Sequence, residues 1–144
     1  MATDRTASEV WQGDLMNGSG TIDAVKSGAF GPLDVSWAAR TEEPNGKTSP
    51  EELMAAAWAS CFAMQLSNTL AKAGNPPEKL ETSATVTFQP GEGIIRGALT
   101  VRGTVPGLDE DGFREAAENA KQNCPVSKAL SGIPDVSLDA SLAS

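Results

Sequence analysis

The apolar and polar positions of this chain change rhythm several times, and each change marks a predicted element. From about Ser8 to Trp37, short apolar runs such as Val10-Trp11 and Thr21-Ile22 alternate with turn residues, among them Asn17-Gly18-Ser19-Gly20, Gly28, Gly31 and Pro32. Asn-Gly between two such runs signals a hairpin, so an antiparallel meander is expected here. Arg40 to Ser49 is polar and reads as a loop with a turn at Pro44-Asn45-Gly46. A long helix then opens on the clearest start signal in the chain: Ser49 as N-cap, Pro50 at the first helical position and Glu52 as the reciprocal arm of a capping box. It is predicted to run to about Ala73, with Gly74 as its stop. Its middle, Leu53 to Met64, is apolar on nearly every side, the pattern of a buried helix.

Beyond Pro76-Pro77 the period falls to two. Leu80 to Gln89 sets Ala84, Val86 and Phe88 on one face and Ser83, Thr85 and Thr87 on the other, and Ile94 to Val105 reads as its hairpin partner. Asp109 offers an N-cap for a helix striped by Phe113, Ala116, Ala117 and Ala120, which ends near Cys124. Pro125 begins a short further helix through Leu130, and Val136 to Leu142 alternates as a closing strand. Strands, long helix, strands, helices, strand is an α+β order. With 144 residues and 40% hydrophobic content, one domain over residues 1–144 is expected.

Charge and composition then narrow the function. A net charge of -8 with few, scattered Lys and Arg disfavours nucleic acid and anionic membrane as partners. No apolar stretch is long enough to span a bilayer, and Met1 to Ser8 lacks the basic region and apolar run of a secretory signal. A cytoplasmic location is therefore expected. Histidine is absent altogether, which removes the usual general base and the commonest metal ligand. Hydrolases of the Ser-His-Asp and Cys-His kinds are excluded, and neither a metal nor a cofactor is expected.

Two cysteines remain, Cys61 and Cys124, too far apart in sequence for a C-x-x-C redox motif. The ordinary reading of each is a small buried hydrophobe. If Cys61 is instead a reactive thiol, it needs a nearby cation to hold its thiolate. Without histidine, arginine is the best candidate, and Arg40 closes the apolar stretch Val35 to Ala39, where its stem would be partly covered. Its ordinary reading is a solvated loop-edge charge. Glu51 is a favourable first-turn carboxylate with no specific partner in the local sequence. On an unbroken helix Glu51 and Cys61 stand about 15 Å apart along the axis. If both serve one site, either the helix bends or Glu51 reaches Cys61 of a second chain, and a homodimer with a shared site is expected.

The run Thr48-Ser49-Pro50-Glu51-Glu52-Leu53-Met54-Ala55-Ala56-Ala57-Trp58-Ala59-Ser60-Cys61-Phe62, together with Asn123-Cys124-Pro125-Val126-Ser127, resembles the OsmC/Ohr family of organic hydroperoxide reductases. The early Trp11-x-Gly13-Asp14 and Gly18-x-Gly20-Thr21 pattern extends the resemblance over nearly the whole chain. It implies an intertwined homodimer with antiparallel sheets wrapped around central long helices and two sites at the subunit interface. It also implies a thiol-dependent peroxidase of oxidative or osmotic stress defence, acting on organic hydroperoxides and extending to inorganic peroxide. Cys61 matches the family's peroxidatic cysteine, Cys124 its second cysteine and Glu51 its glutamate after the helix-start proline. The Ohr branch takes its arginine from the early strands, whereas this chain has no basic residue between Arg5 and Lys26, so Arg40 fits the OsmC branch. The implied cycle passes through a Cys61 sulfenic acid and a Cys61–Cys124 disulfide, which an external dithiol reduces. The residues by themselves leave two alternatives: a non-catalytic dimer binding a small ligand or a partner, and a redox sensor.

Overall fold

The computed structural model describes residues 1–143 and divides the chain into two compact units, Met1–Leu53 and Met54 onwards. The first is built on a three-stranded antiparallel sheet, in the order β1 (Glu9–Gln12), β2 (Ser19–Ile22), β3 (Leu33–Val35). The meander expected from the apolar runs is present. Its first hairpin closes around Asp14, whose carboxylate accepts the Asn17 N–H at 2.7 Å while its carbonyl accepts the Gly18 N–H at 2.8 Å. Gly20 lies opposite Trp11, and a Cβ there would stand 2.8 Å from both the Trp11 ring and a Val35 methyl. That glycine lets the indole lie across the sheet.

The stretch after β3 holds an element the apolar pattern did not mark, the one-turn helix α1 (Trp37–Thr41). Ser36 caps it by accepting the Ala39 N–H at 3.1 Å. Arg40 therefore sits in a helical last turn rather than at the start of a loop. The turn at Pro44-Asn45-Gly46 forms as expected, with the Lys47 N–H on the Pro44 carbonyl at 3.0 Å and both central residues at positive φ. The long helix α2 (Pro50–Lys72) follows. Ser49 accepts the Glu52 N–H at 3.1 Å as predicted, but the Glu52 carboxylate accepts the Thr48 hydroxyl at 2.8 Å, so the returning arm of the cap engages a side chain.

In the second unit, β4 (Lys79–Gln89) and β5 (Gly93–Thr104) pair antiparallel, and β6 (Asp135–Leu142) pairs with β5. That last pairing is parallel, a departure from the all-antiparallel sheets of the expectation. Its cause is the crossover of α3 (Glu110–Asn123) and α4 (Pro125–Ala129), which returns the chain to the end at which β5 began. Asp109 caps α3 through the Gly112 N–H at 2.8 Å. Gly97, Leu99, Val101 and Gly103 bury alternate positions of β5, and a Cβ at Gly103 would stand 2.6 Å from the Phe113 ring.

Trp58, Phe62, Leu66 and Leu70 recur every fourth residue of α2 and form one core cluster with Leu99, Val101, Phe113 and Cys124. Burial of each such side chain contributes about 1.5–3 kcal/mol. Phe62→Ala is expected to cost about 3–5 kcal/mol, read as a fall in the denaturant midpoint; a loss under about 1 kcal/mol would remove it from the core. The all-round burial expected of this helix is not found within one chain. Ala56, Ala57 and Ser60 are exposed and Met64 is 70% exposed, because the chain's own elements cover a single face.

Candidate active site

Arg40 and Glu51, which the sequence offered separately, are partners. Arg40 comes from the last turn of α1 and Glu51 from the first turn of α2. The guanidinium Nε donates to Glu51 Oε1 at 3.0 Å and Oε2 at 3.2 Å, and Nη2 donates to Oε2 at 2.8 Å. This fork-to-fork contact fixes the guanidinium plane as well as its charge. Glu51 is buried and Arg40 partly so, and the Trp37 ring lies 5.9 Å below the guanidinium carbon, within cation–π range. Beside the pair is a cavity of about 160 Å³, bordered by Arg40, Trp11, Leu15, Ile22, Val35 and Trp37. A fixed cation at the edge of an apolar hollow can hold the polar end of a molecule whose remainder is apolar.

Cys61 and Cys124 form the second cluster, within the second unit. Both are free thiols, one partly exposed and the other fully buried. Cys124 ends α3, its N–H on the Ala120 carbonyl at 2.9 Å, and begins α4, its carbonyl accepting the Lys128 N–H at 3.0 Å. Pro125 supplies the first residue of α4 and fixes this corner. The two thiols hydrogen-bond to one another and titrate as a pair. Burial pushes the Cys61 thiol up, and its hydrogen bond with Cys124 adds to this, against the Val126 N–H. Burial is also the largest single influence on Cys124 and acts to raise it. It is outweighed by the hydrogen bond from Cys61, the N–H groups of Ser127 and Val126 and the Ser127 hydroxyl, so Cys124 lies below the ordinary thiol range.

All four expected site residues thus fall into two pairs, Arg40 with Glu51 and Cys61 with Cys124. Two further residues escaped the sequence reading although both lie in the quoted motifs. Trp58 donates its Nε1–H to Ser127 Oγ at 2.7 Å, across 69 positions of sequence. A buried indole one turn before Cys61 and a serine after the Cys-Pro pair were the available signals.

An α+β chain that brings two free cysteines into hydrogen-bond contact has the framework of a dithiol redox protein. A family model described as OsmC-like protein matches residues 43–139, and the chain belongs to that family. It is 37% identical over 137 residues to Peroxiredoxin OsmC of Escherichia coli (strain K12), covering 93% of each chain. It is 34% identical over 95 residues to the organic hydroperoxide resistance protein of Xanthomonas axonopodis pv. citri (strain 306), covering 63% of this chain and 65% of that one. The fold is that of the organic hydroperoxide resistance protein OsmC from Legionella pneumophila, with a TM-score of 0.72 at 24% identity over 94% of this chain and 96% of the other.

Proposed function

We propose that this OsmC-family protein is a thiol-dependent peroxidase that reduces organic hydroperoxides, with Cys61 as the attacking thiol and Cys124 as the resolving one. The observation that carries the assignment is the unequal exposure of two touching thiols. Cys61 is partly exposed, so a peroxide can reach it, while Cys124 has no exposed surface and lies in the core cluster beside Cys61. The Cys61 thiolate attacks the terminal peroxide oxygen, the O–O bond breaks and an alcohol leaves, giving a sulfenic acid. Cys124 attacks that sulfur, water leaves and the disulfide closes. An external dithiol restores both thiols.

Arg40 is the proposed cation for the Cys61 thiolate and the peroxide oxygens, held in orientation by Glu51, and the neighbouring apolar cavity is the proposed seat of the alkyl group. The uninterrupted α2 favours delivery of this pair by a second chain. So does the exposed apolar side of that helix, which a second copy would cover. The functional unit in this proposal is a homodimer of single-domain chains over residues 1–144. Among the described residues no helix is long and apolar enough to cross a membrane. The proposed setting is the cytoplasm, where dithiol reductants are kept reduced.

Purified protein is expected to consume cumene hydroperoxide continuously when supplied with a dithiol, and to migrate as a dimer in sedimentation. Peroxide loss no faster than in the dithiol alone would reject the enzyme. A monomer at working concentration would reject the shared site.

A further inference from the structure

Glu9 places a carboxylate on an otherwise apolar face of the first sheet. Alternate residues of a strand share a face, so Glu9 stands beside Trp11, and the register sets Ile22 and Leu33 opposite the first and Gly20 and Val35 opposite the second. The carboxylate folds back along that face: a Cβ built at the buried Gly20 would collide with Glu9 Oε1 as well as with the Trp11 ring and a Val35 methyl. Glu9, Trp11, Ile22 and Val35 all border the cavity beside Arg40, and Glu9 and Arg40 are its charged lining residues. The positive charge on that border is already matched, because Glu51 holds the Arg40 guanidinium through Nε and Nη2. Glu9 therefore leaves the cavity wall net negative.

We infer that Glu9 is a specificity-determining residue of this site: its carboxylate repels anionic hydroperoxides, so the substrates taken are uncharged, compact alkyl and aralkyl hydroperoxides. The inference rests on the reading of that cavity as the seat of the organic group. Its volume of about 160 Å³ is close to that of an apolar cavity that holds one benzene ring, roughly 150 Å³. A compact group that carries a carboxylate has little room there to keep its charge away from Glu9. Two effects then act against it. The first is the loss of hydration that any carboxylate suffers in an apolar hollow. The second is repulsion by Glu9, a charge set against the wrong ligand, and because Glu9 is exposed this part is weakened by salt.

The probes are cumyl alcohol, which cumene hydroperoxide leaves on reduction, and its para-carboxylate. Trp11 and Trp37 border the cavity, so binding of either is read from tryptophan fluorescence without any turnover. The parent protein is expected to bind the neutral alcohol at least about tenfold more tightly than the acid. Glu9→Gln is expected to narrow that ratio roughly fivefold, the scale of one unit charge at a solvent-screened site, and Glu9→Lys to narrow it further. Added salt is expected to narrow the ratio in the parent and to do so less in Glu9→Gln. Glu115→Gln, an exposed position of α3 outside the cavity lining, changes the net charge equally and is expected to keep the parent's ratio. The kcat/KM ratio for cumene hydroperoxide and its para-carboxylate is expected to follow the same order. An equal binding ratio in the parent and Glu9→Gln, an equal salt dependence in the two, an equal effect of Glu115→Gln, or no fluorescence response to either alcohol would overturn the inference. The expected binding ratios in a protein that turns over neither hydroperoxide would uphold the selection by Glu9 and reject the peroxidase.

Discussion

Cys61→Ser is expected to lower peroxide consumption at least about a thousandfold, because a serine hydroxyl is not ionised near neutral pH and the remaining thiol, Cys124, is buried. Cys124→Ser is expected to behave differently. Its Cys61 still attacks, the sulfenic acid accumulates for lack of a resolving thiol, and a dimedone adduct on Cys61 records it by mass spectrometry. In the parent protein the same treatment is expected to give the intramolecular disulfide and little adduct. The contrast follows from exposure: the buried Cys124 cannot replace Cys61 as first reactant, whereas the partly exposed Cys61 can be oxidised without Cys124. Equal turnover in the parent and both variants would reject the mechanism. A dimedone adduct confined to Cys124 in Cys61→Ser would reverse the two roles.

The sequence was most legible where a local rule governs the chain. Ser49-Pro50 and Asp109 begin α2 and α3 as their side chains require, and Gly74, at φ +89, ends the long helix. The alternation of β4 and β5 and the stripe of α3 were likewise open to reading from period alone. What local pattern could not carry was partnership. Nothing near Arg40 or Glu51 announces their contact, because it depends on the Pro44-Asn45-Gly46 turn bringing α1 against the first turn of α2. The Trp58–Ser127 bond and the parallel seat of β6 depend on the crossover in the same way. The α2 face on which Met64 is exposed marks another boundary of sequence reasoning. An alanine-rich helix reads as buried whether its cover comes from its own chain or from a second one, and composition does not distinguish them. The cysteines themselves were legible as chemistry chiefly through family resemblance, since a thiol in a buried helix is ordinarily inert.

Arg40→Met is expected to slow the first oxidation of Cys61 by roughly a hundredfold at neutral pH, the scale of losing one preorganised donor at a reacting oxygen, while preserving most of the side-chain volume. The pH dependence has a definite sign. Burial and then the hydrogen bond with Cys124 raise the Cys61 thiol, so its thiolate fraction falls at any pH below its titration. The guanidinium proposed for the site would oppose both influences, and removing that charge is expected to move the titration further up. The variant's deficit should therefore shrink as pH rises and the thiolate forms without help; what remains at alkaline pH measures the loss of peroxide alignment. Glu51→Gln keeps the volume but weakens the fork that fixes Nε and Nη2, and is expected to slow the same step less than Arg40→Met. If Glu51 acts through the arginine, adding Glu51→Gln to Arg40→Met should cost little more, whereas multiplied effects would show that the carboxylate acts independently. Denaturant midpoints belong beside the rates, because the buried Glu51 left without its guanidinium also lowers stability. Single-turnover oxidation that is unchanged in Arg40→Met across the pH range would remove this pair from the site.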